Sequence, residues 1–239
     1  MNKRSDLRPS PIAGTWYSGN PTQLRSIVDN YIENAEIPDL PGEVLGLIAP
    51  HAGYRYSGPV AGHAFKAVKG QSFDIVLVIS PLHQYHSQPI ITSGHDAYQT
   101  PLGEIPLAKG FLEQINTSLK ESFGVGLTRI RNDQEHSLEI ELPFLQRAIT
   151  GDFELIPIML RDQTREFSKG LGKILAEILD GQSFLMVASS DLSHFHPESV
   201  ANKLDQKVLQ AVDDFSPERL FDLKESGVGQ ACGLAPIAT

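Results

Sequence analysis

The sequence predicts an α/β protein, a single domain with a mixed, largely parallel central sheet flanked by helices. Two observations support this fold class. Short runs rich in apolar and β-branched residues alternate with segments of helical periodicity. There is also no internal repeat, low-complexity tract or linker along the 239 residues, a length that suits one large α/β domain. We therefore expect residues 1–239 to form one domain.

The first elements follow from local signals in the N-terminal third. Asn20 and Pro21 predict a helix start, because asparagine caps helices and proline suits the first helical position. The apolar run 44–49 predicts a buried strand. Pro59, followed by apolar residues at helical spacing, predicts the start of a second helix. The segment 73–79 is almost entirely apolar, as expected of a parallel strand that is covered on both faces.

The remainder of the chain continues the alternation after a long polar excursion over 84–106, which predicts a hairpin between 90–92 and 97–100. A loop leads into a helix over 133–145, where Pro143 should kink or interrupt the helix. The other predicted elements are helix 109–122, strand 153–160, helix 167–179, strand 184–188, helix 200–212 and a short helix opened by Ser216 and Pro217.

Composition excludes several functional classes. The formal net charge is −9 and the isoelectric point about 5.3, whereas nucleic-acid-binding proteins usually present a basic face. Residues 1–10 are polar and do not resemble a secretory signal, and no apolar run approaches membrane-spanning length. Cys232 is the only cysteine, which fits a reducing compartment. We therefore expect a cytoplasmic protein with no nucleic-acid or membrane partner.

Three apolar strands end in polar loops that carry histidines, namely His51, His83 and His194. Parallel strands bring their carboxyl ends to one edge of a sheet, where α/β proteins bind ligands. Converging imidazoles suit a transition metal or acid–base chemistry. Each histidine taken alone is more often a hydrogen-bonded loop residue, but three equivalent positions favour a site. His136, which lies in another polar loop, is a candidate to support it.

Other side chains near these loops have both a functional and a structural interpretation. Cys232 lies beside a glycine and is either a thiolate ligand or nucleophile, or a buried small residue. Asp191 either orients an imidazole or caps the helix after it. Tyr54 and Arg55 follow His51 closely and either contact an anionic or aromatic ligand or serve packing. The common zincin, nucleotide-binding and hydrolase-elbow motifs do not occur in the sequence.

Several motifs, in order along the chain, resemble the Memo (mediator of cell motility) family, called AmmeMemoRadiSam system protein B in microbes. They are P-H-A-G-Y at 50–54 with Y-S-G at 56–58, T-P-L-G-E at 100–104, E-H-S-L-E-I at 135–140 with L-P-F at 142–144, S-S-D-L-S-H at 189–194, and C-G at 232–233 with P-I at 236–237. The resemblance implies a fold similar to class III extradiol ring-cleaving dioxygenases, which use non-haem iron. It places the metal-site histidines at His51, His83 and His194, and the family's cysteine at Cys232.

The sequence departs from these patterns at two places. The dioxygenases hold iron with two histidines and a carboxylate, whereas Cys232 occupies the matching place here, so ring cleavage does not carry over. A thiolate also suits copper(I) or zinc. The family continues past the motif at 232–237 into another helix and strands, but this chain stops at Thr239. We therefore expect either that the sheet lacks an edge or that the chain is truncated at its C-terminal end relative to the family.

The leading expectation is a metal-dependent redox protein that binds iron, with copper or zinc as alternatives, and acts on an unidentified small molecule or peptide. His51, His83 and Cys232 are the expected ligands, and His194 is either a fourth ligand or an acid–base residue. His136 and Asp191 are expected to support catalysis. One alternative is a non-catalytic module that binds phosphopeptides or other anions in the same cleft, as the resemblance implies for an animal relative. The other is a zinc-dependent hydrolase.

Overall fold

The computed structural model describes residues 6–239, so the first five residues of the polar segment 1–10 lie outside the described part of the chain. The strands are β1 Leu7–Arg8, β2 Gly46–Ala49, β3 Ile75–Pro81, β4 Ile90–Ser93, β5 Ala97–Thr100, β6 Gly103–Pro106, β7 Thr128–Ile130, β8 Glu154–Leu160 and β9 Phe184–Ser189. The helices are α1 Pro21–Asn34, α2 Tyr54–Lys66, α3 Lys109–Phe123, α4 Leu142–Ala148, α5 Arg165–Leu179, α6 Glu198–Asp213, α7 Pro217–Glu225 and α8 Leu234–Ala238. A 3-10 turn over Glu139–Glu141 precedes α4.

The main sheet has six strands in the order β2-β9-β3-β8-β4-β7. The neighbours β2, β9, β3 and β8 pair in parallel, while β4 pairs antiparallel with β8 and parallel with β7. A smaller sheet has the order β1-β5-β6. The predicted single α/β domain with a mixed, largely parallel sheet is therefore confirmed.

The core lies against the central strands, and every residue of β3 is buried. Helices α1, α2 and α4 contact one another, whereas α5 contacts α3 and α8. The predicted start of α1 is confirmed, since the Asn20 side chain accepts a hydrogen bond of 3.0 Å from the backbone N–H of Gln23. None of the helices in residues 6–239 combines the length and hydropathy needed to cross a membrane.

The start of α2 differs from the prediction. The helix begins at Tyr54 rather than at Pro59, which lies inside it. The carbonyl of Trp16 accepts a 3.0 Å hydrogen bond from the Tyr54 backbone N–H, so a distant loop satisfies a donor at the helix start. Arg55 therefore lies in the first turn of a helix rather than in a loop.

The sequence predicted that β2 would be buried, but only Ala49 within it is buried. Among the described strands it pairs with β9 alone and so forms one edge of the main sheet. Leu45 and Ile48 are exposed beside a groove of about 1010 Å³ that α7 and the end of α8 also line. An apolar sequence thus indicated a strand correctly but did not indicate its place in the sheet.

Two other expectations need correction. The hairpin forms between β5 and β6, whereas β4 belongs to the main sheet and pairs with β8. Pro143 does not kink a helix, because it occupies the first turn of α4, where the missing N–H costs nothing. The elements β1, β7 and α8 were not predicted, since each is five residues or shorter.

Candidate metal centre

Three histidines meet at the carboxyl edge of the main sheet. His51 follows β2, His83 follows β3, and His136 comes from the loop before the 3-10 turn. One ring nitrogen of each lies within 4.8 Å of the other two. The ring centroid of His51 is 5.2 Å from that of His83 and 5.5 Å from that of His136. The structure therefore brings the first two predicted site histidines together and adds the third.

Glu135 holds His83 in place. Its carboxylate accepts a 2.7 Å hydrogen bond from the His83 backbone N–H and lies 2.9 Å from His83 Nδ1. It also accepts from the backbone N–H groups of His136 and Ser137, each at 3.0 Å. Burial raises the pKa of Glu135, but these hydrogen bonds outweigh burial and lower the pKa to about 2. The carboxylate is therefore charged and orients the His83 ring.

Cys232 lies against His51. Its Sγ is 3.0 Å from His51 Nε2 and accepts a hydrogen bond of 3.2 Å from the Asp191 backbone N–H. The adjacent Gly233 is required here, because a Cβ at that position would lie 2.2 Å from the carbonyl oxygen of Ser189. The tight approach of these two backbones places the thiol beside the imidazoles.

The electrostatic state of the cluster follows from these contacts. Burial would raise the pKa of the Cys232 thiol, but hydrogen bonds from His51 and His83 lower it to about 6. The hydrogen bond to Cys232, followed by that to Glu135, raises the pKa of His83 to about 10. Burial lowers the pKa of His136 to about 4. Near neutral pH the cluster thus contains a thiolate, an imidazolium and a neutral imidazole that is ready to bind a metal.

His194 lies outside the three-histidine group. Its side chain is 41% exposed, and Nε2 is 3.6 Å from Asp191 Oδ2. The other carboxylate oxygen of Asp191 accepts a 2.8 Å hydrogen bond from the His51 backbone N–H. Asp191 therefore fixes the backbone at the first metal-site candidate and at the same time faces the exposed imidazole.

The remaining candidates at the site have different surroundings. Tyr54 is 4% exposed, and its hydroxyl donates a 2.9 Å hydrogen bond to the Ile140 carbonyl, so it links the start of α2 to the 3-10 turn. Arg55 is exposed on the first turn of α2. Trp16, which sequence reasoning did not select, covers one side of the cluster with its ring centroid 4.2 Å from that of His136.

Sequence reasoning also missed Arg8, which is 1% exposed. Its guanidinium donates to both carboxylate oxygens of Asp133, to Glu139 and to the Glu135 carbonyl, at 2.6 to 2.9 Å. These contacts hold the loop that carries His136. The sequence offers one signal for these contacts, the acidic residues around that loop, because buried carboxylates need a cationic partner from elsewhere in the chain.

The donor set fits a transition metal. Nitrogen and sulfur ligands of one ion lie about 2.0–2.3 Å from it and therefore roughly 3–4 Å from each other. The three ring nitrogens, within 4.8 Å of one another, need only small side-chain rotations to reach this spacing. His83 also has the carboxylate partner that metal-bound histidines commonly have.

Comparisons with known proteins agree with this architecture. A family model described as "Memo-like protein" matches residues 8–239. A "MEMO1 family protein" of Methanosarcina mazei is 31% identical over 238 residues, which cover 97% of this chain and 84% of that protein. One from Nitrosopumilus maritimus is 28% identical over 238 residues, covering 98% and 85%. One from Caldivirga maquilingensis is 35% identical over 204 residues, covering 82% and 69%. The chain therefore belongs to the Memo-like protein family.

Proposed function

We propose that this protein is a metal-dependent redox protein. The observation that carries the proposal is the meeting of three imidazole nitrogens within 4.8 Å beside a cysteine whose pKa is lowered to about 6. Imidazole and thiolate donors suit iron, copper and zinc better than calcium or magnesium. Iron is the first choice for the native metal, with copper next.

Each side chain of the centre has a proposed role. His51, His83, His136 and Cys232 hold the ion, and Glu135 orients His83 through the 2.9 Å contact with Nδ1. Bound iron or copper would supply electron exchange with a substrate or with dioxygen.

We assign proton transfer to His194, whose Nε2 lies 3.6 Å from the supporting Asp191 Oδ2. In a second version of this proposal, His194 binds the metal directly. Because the His194 side chain is 41% exposed, it can reach a substrate that approaches from solvent.

The substrate is proposed to enter beside His83, whose side chain is 38% exposed. A small molecule or the end of a peptide could reach the cluster from that side. A purely phosphopeptide-binding role has less support, because phosphate recognition usually needs a cluster of arginines and Arg55 alone lies at the start of α2. We treat residues 1–239 as one functional domain, and the single cysteine is consistent with a reducing, cytoplasmic setting.

The direct test is metal analysis of protein purified without oxygen. Wild type should carry about one ion per chain, and His51→Ala, His136→Ala and Cys232→Ala should lose most of it. His63→Ala is the matched control, because His63 is exposed on α2 and its Nδ1 contacts the Pro59 carbonyl. The proposal is wrong if wild type carries no more metal than the three site variants.

His194→Ala separates the two roles of that residue. If His194 moves protons, the variant keeps its metal and loses the rate of oxygen consumption with a responsive substrate. If it is a ligand, metal content falls as well. The reaction itself would be sought by following oxygen uptake of iron-loaded and copper-loaded protein across a panel of reduced small molecules.

Zinc-dependent hydrolysis is a second candidate, because three histidine ligands with one open position also describe catalytic zinc sites. Zinc-loaded protein that cleaves esters or amides, while iron-loaded and copper-loaded protein shows no oxygen uptake, would favour hydrolysis. The opposite result would favour redox chemistry.

A further inference from the structure

Ser189, the last residue of β9, lies at the meeting point of three buried groups. Its Oγ is 2.8 Å from His51 Nδ1, 2.6 Å from the Ser137 carbonyl oxygen and 2.9 Å from Glu141 Oε1. A serine hydroxyl has one hydrogen to donate and two lone pairs that accept. These three partners therefore use its whole hydrogen-bonding capacity.

The direction of each hydrogen bond follows from this count. The Ser137 carbonyl has no hydrogen, and its oxygen is the nearest of the three partners, so the Ser189 hydroxyl donates to it. The two lone pairs of Oγ then face His51 Nδ1 and Glu141 Oε1. Both of these atoms must carry a hydrogen, since otherwise two lone pairs would face each other at less than 3 Å.

We infer that Ser189 and a protonated Glu141 keep a hydrogen on His51 Nδ1, so that Nε2 is the nitrogen of His51 that binds a metal ion. Nε2 already faces Cys232 Sγ at 3.0 Å. Ser189 and Glu141 are thus positioning residues that act through the orientation and tautomer of His51. The inference about affinity rests on the proposed metal site, whereas the inference about the tautomer does not.

The surroundings of Glu141 support its neutral form. The residue is 0% exposed, and within residues 6–239 its Oε2 has no hydrogen-bond partner. A buried carboxylate with one unpartnered oxygen would be strongly disfavoured in its ionised form. Burial, together with the nearby Asp191 carboxylate, raises the pKa of Glu141 well above its usual range. A neutral acid here also adds no negative charge behind the ligand.

The first test measures the tautomer in metal-free protein by nitrogen NMR of labelled histidine. His51 Nδ1 should carry a hydrogen in wild type, whether or not Nε2 donates a second one to Cys232 Sγ. Ser189→Ala should favour loss of the hydrogen from Nδ1 and shift neutral His51 toward the Nε2–H form, while Ser168→Ala, at a buried serine on α5, should not. Infrared spectroscopy should show the carbonyl stretch of a protonated acid that Glu141→Gln removes. These readouts do not depend on whether the protein binds metal.

The second test measures zinc affinity by competition with a chelator. Ser189→Ala should weaken binding about 10- to 100-fold, the usual effect of losing such a partner. Glu141→Gln retains an N–H donor and should stay within about threefold of wild type, whereas Glu141→Leu should weaken binding as Ser189→Ala does. An unchanged tautomer in Ser189→Ala, or a missing acid carbonyl stretch in wild type, would overturn the inference. If wild type binds no zinc but the tautomer shifts, the proposed function fails and the assignment of the hydrogens stands.

Discussion

The affinity of the centre for metal should depend steeply on pH, and His83 should set that dependence. The pKa of His83 is raised to about 10, and that of Cys232 is lowered to about 6. The pKa of His136 is lowered to about 4, so this imidazole is neutral above about pH 5. Between pH 6 and 10 the proton on His83 must therefore leave when the metal binds. Metal affinity should rise about tenfold per pH unit in this window, or about 100-fold from pH 7 to pH 9.

Outside this pH window the metal affinity should not fall as the pH rises. Below about pH 6 the Cys232 thiol is protonated as well, so two protons must leave and the slope should approach about 100-fold per unit. Above about pH 10 His83 is neutral and the affinity should become independent of pH. Zinc is a suitable probe because it does not change oxidation state.

Calorimetry in two buffers of different ionisation enthalpy would count the protons directly, and about one should be released near pH 7.5. Glu135→Gln removes a charged partner of His83, so the pH-independent region should begin at a lower pH. Glu113→Gln, which alters an exposed carboxylate paired with Arg129, should leave the profile unchanged. A wild-type affinity that is constant between pH 7 and pH 9 would refute the assignment of a protonated His83.

Three further outcomes are expected. Alkylation of Cys232 in metal-free protein should follow a pKa of about 6, and His51→Ala should move that midpoint upward, as rates measured against pH would show. Arg8→Met should lower the free energy of unfolding by about 3–5 kcal/mol, because it leaves buried carboxylates unpaired. Arg129→Met, on the surface, should lower it by less than about 1 kcal/mol. Denaturant titration of the two variants would compare these losses. Gly233→Ala should displace α8, which follows it, and lower the metal content relative to wild-type protein of equal purity. A full metal content would contradict the proposed packing.

The fold was predictable where local signals are sufficient. The apolar run that forms β3 and the cap of α1 indicate their elements through composition and spacing alone. The exposure of β2 was not predictable in this way, because an edge strand and a central strand can share an apolar sequence. The start of α2 depends on a carbonyl of Trp16, which lies almost forty residues earlier in the chain.

The site was predictable to the extent that parallel strands share an edge. That rule selected His51 and His83, and the structure brings them together with Cys232. It did not select His136 as a member of the group, because the loop of His136 does not follow a strand of that set but is held by contacts with Arg8 from the far end of the chain. The role proposed for His194 stays a prediction, since its ring lies outside the cluster.

The contact between the Trp16 and His136 rings has an optical consequence. Trp16 is the only tryptophan in the chain, so all of the indole fluorescence originates 4.2 Å from an imidazole of the centre. Iron or copper bound by that imidazole should quench the emission efficiently, whereas zinc should leave most of it. The intensity of one native fluorophore would thus report in real time whether the centre is filled and by which kind of ion, without any added label.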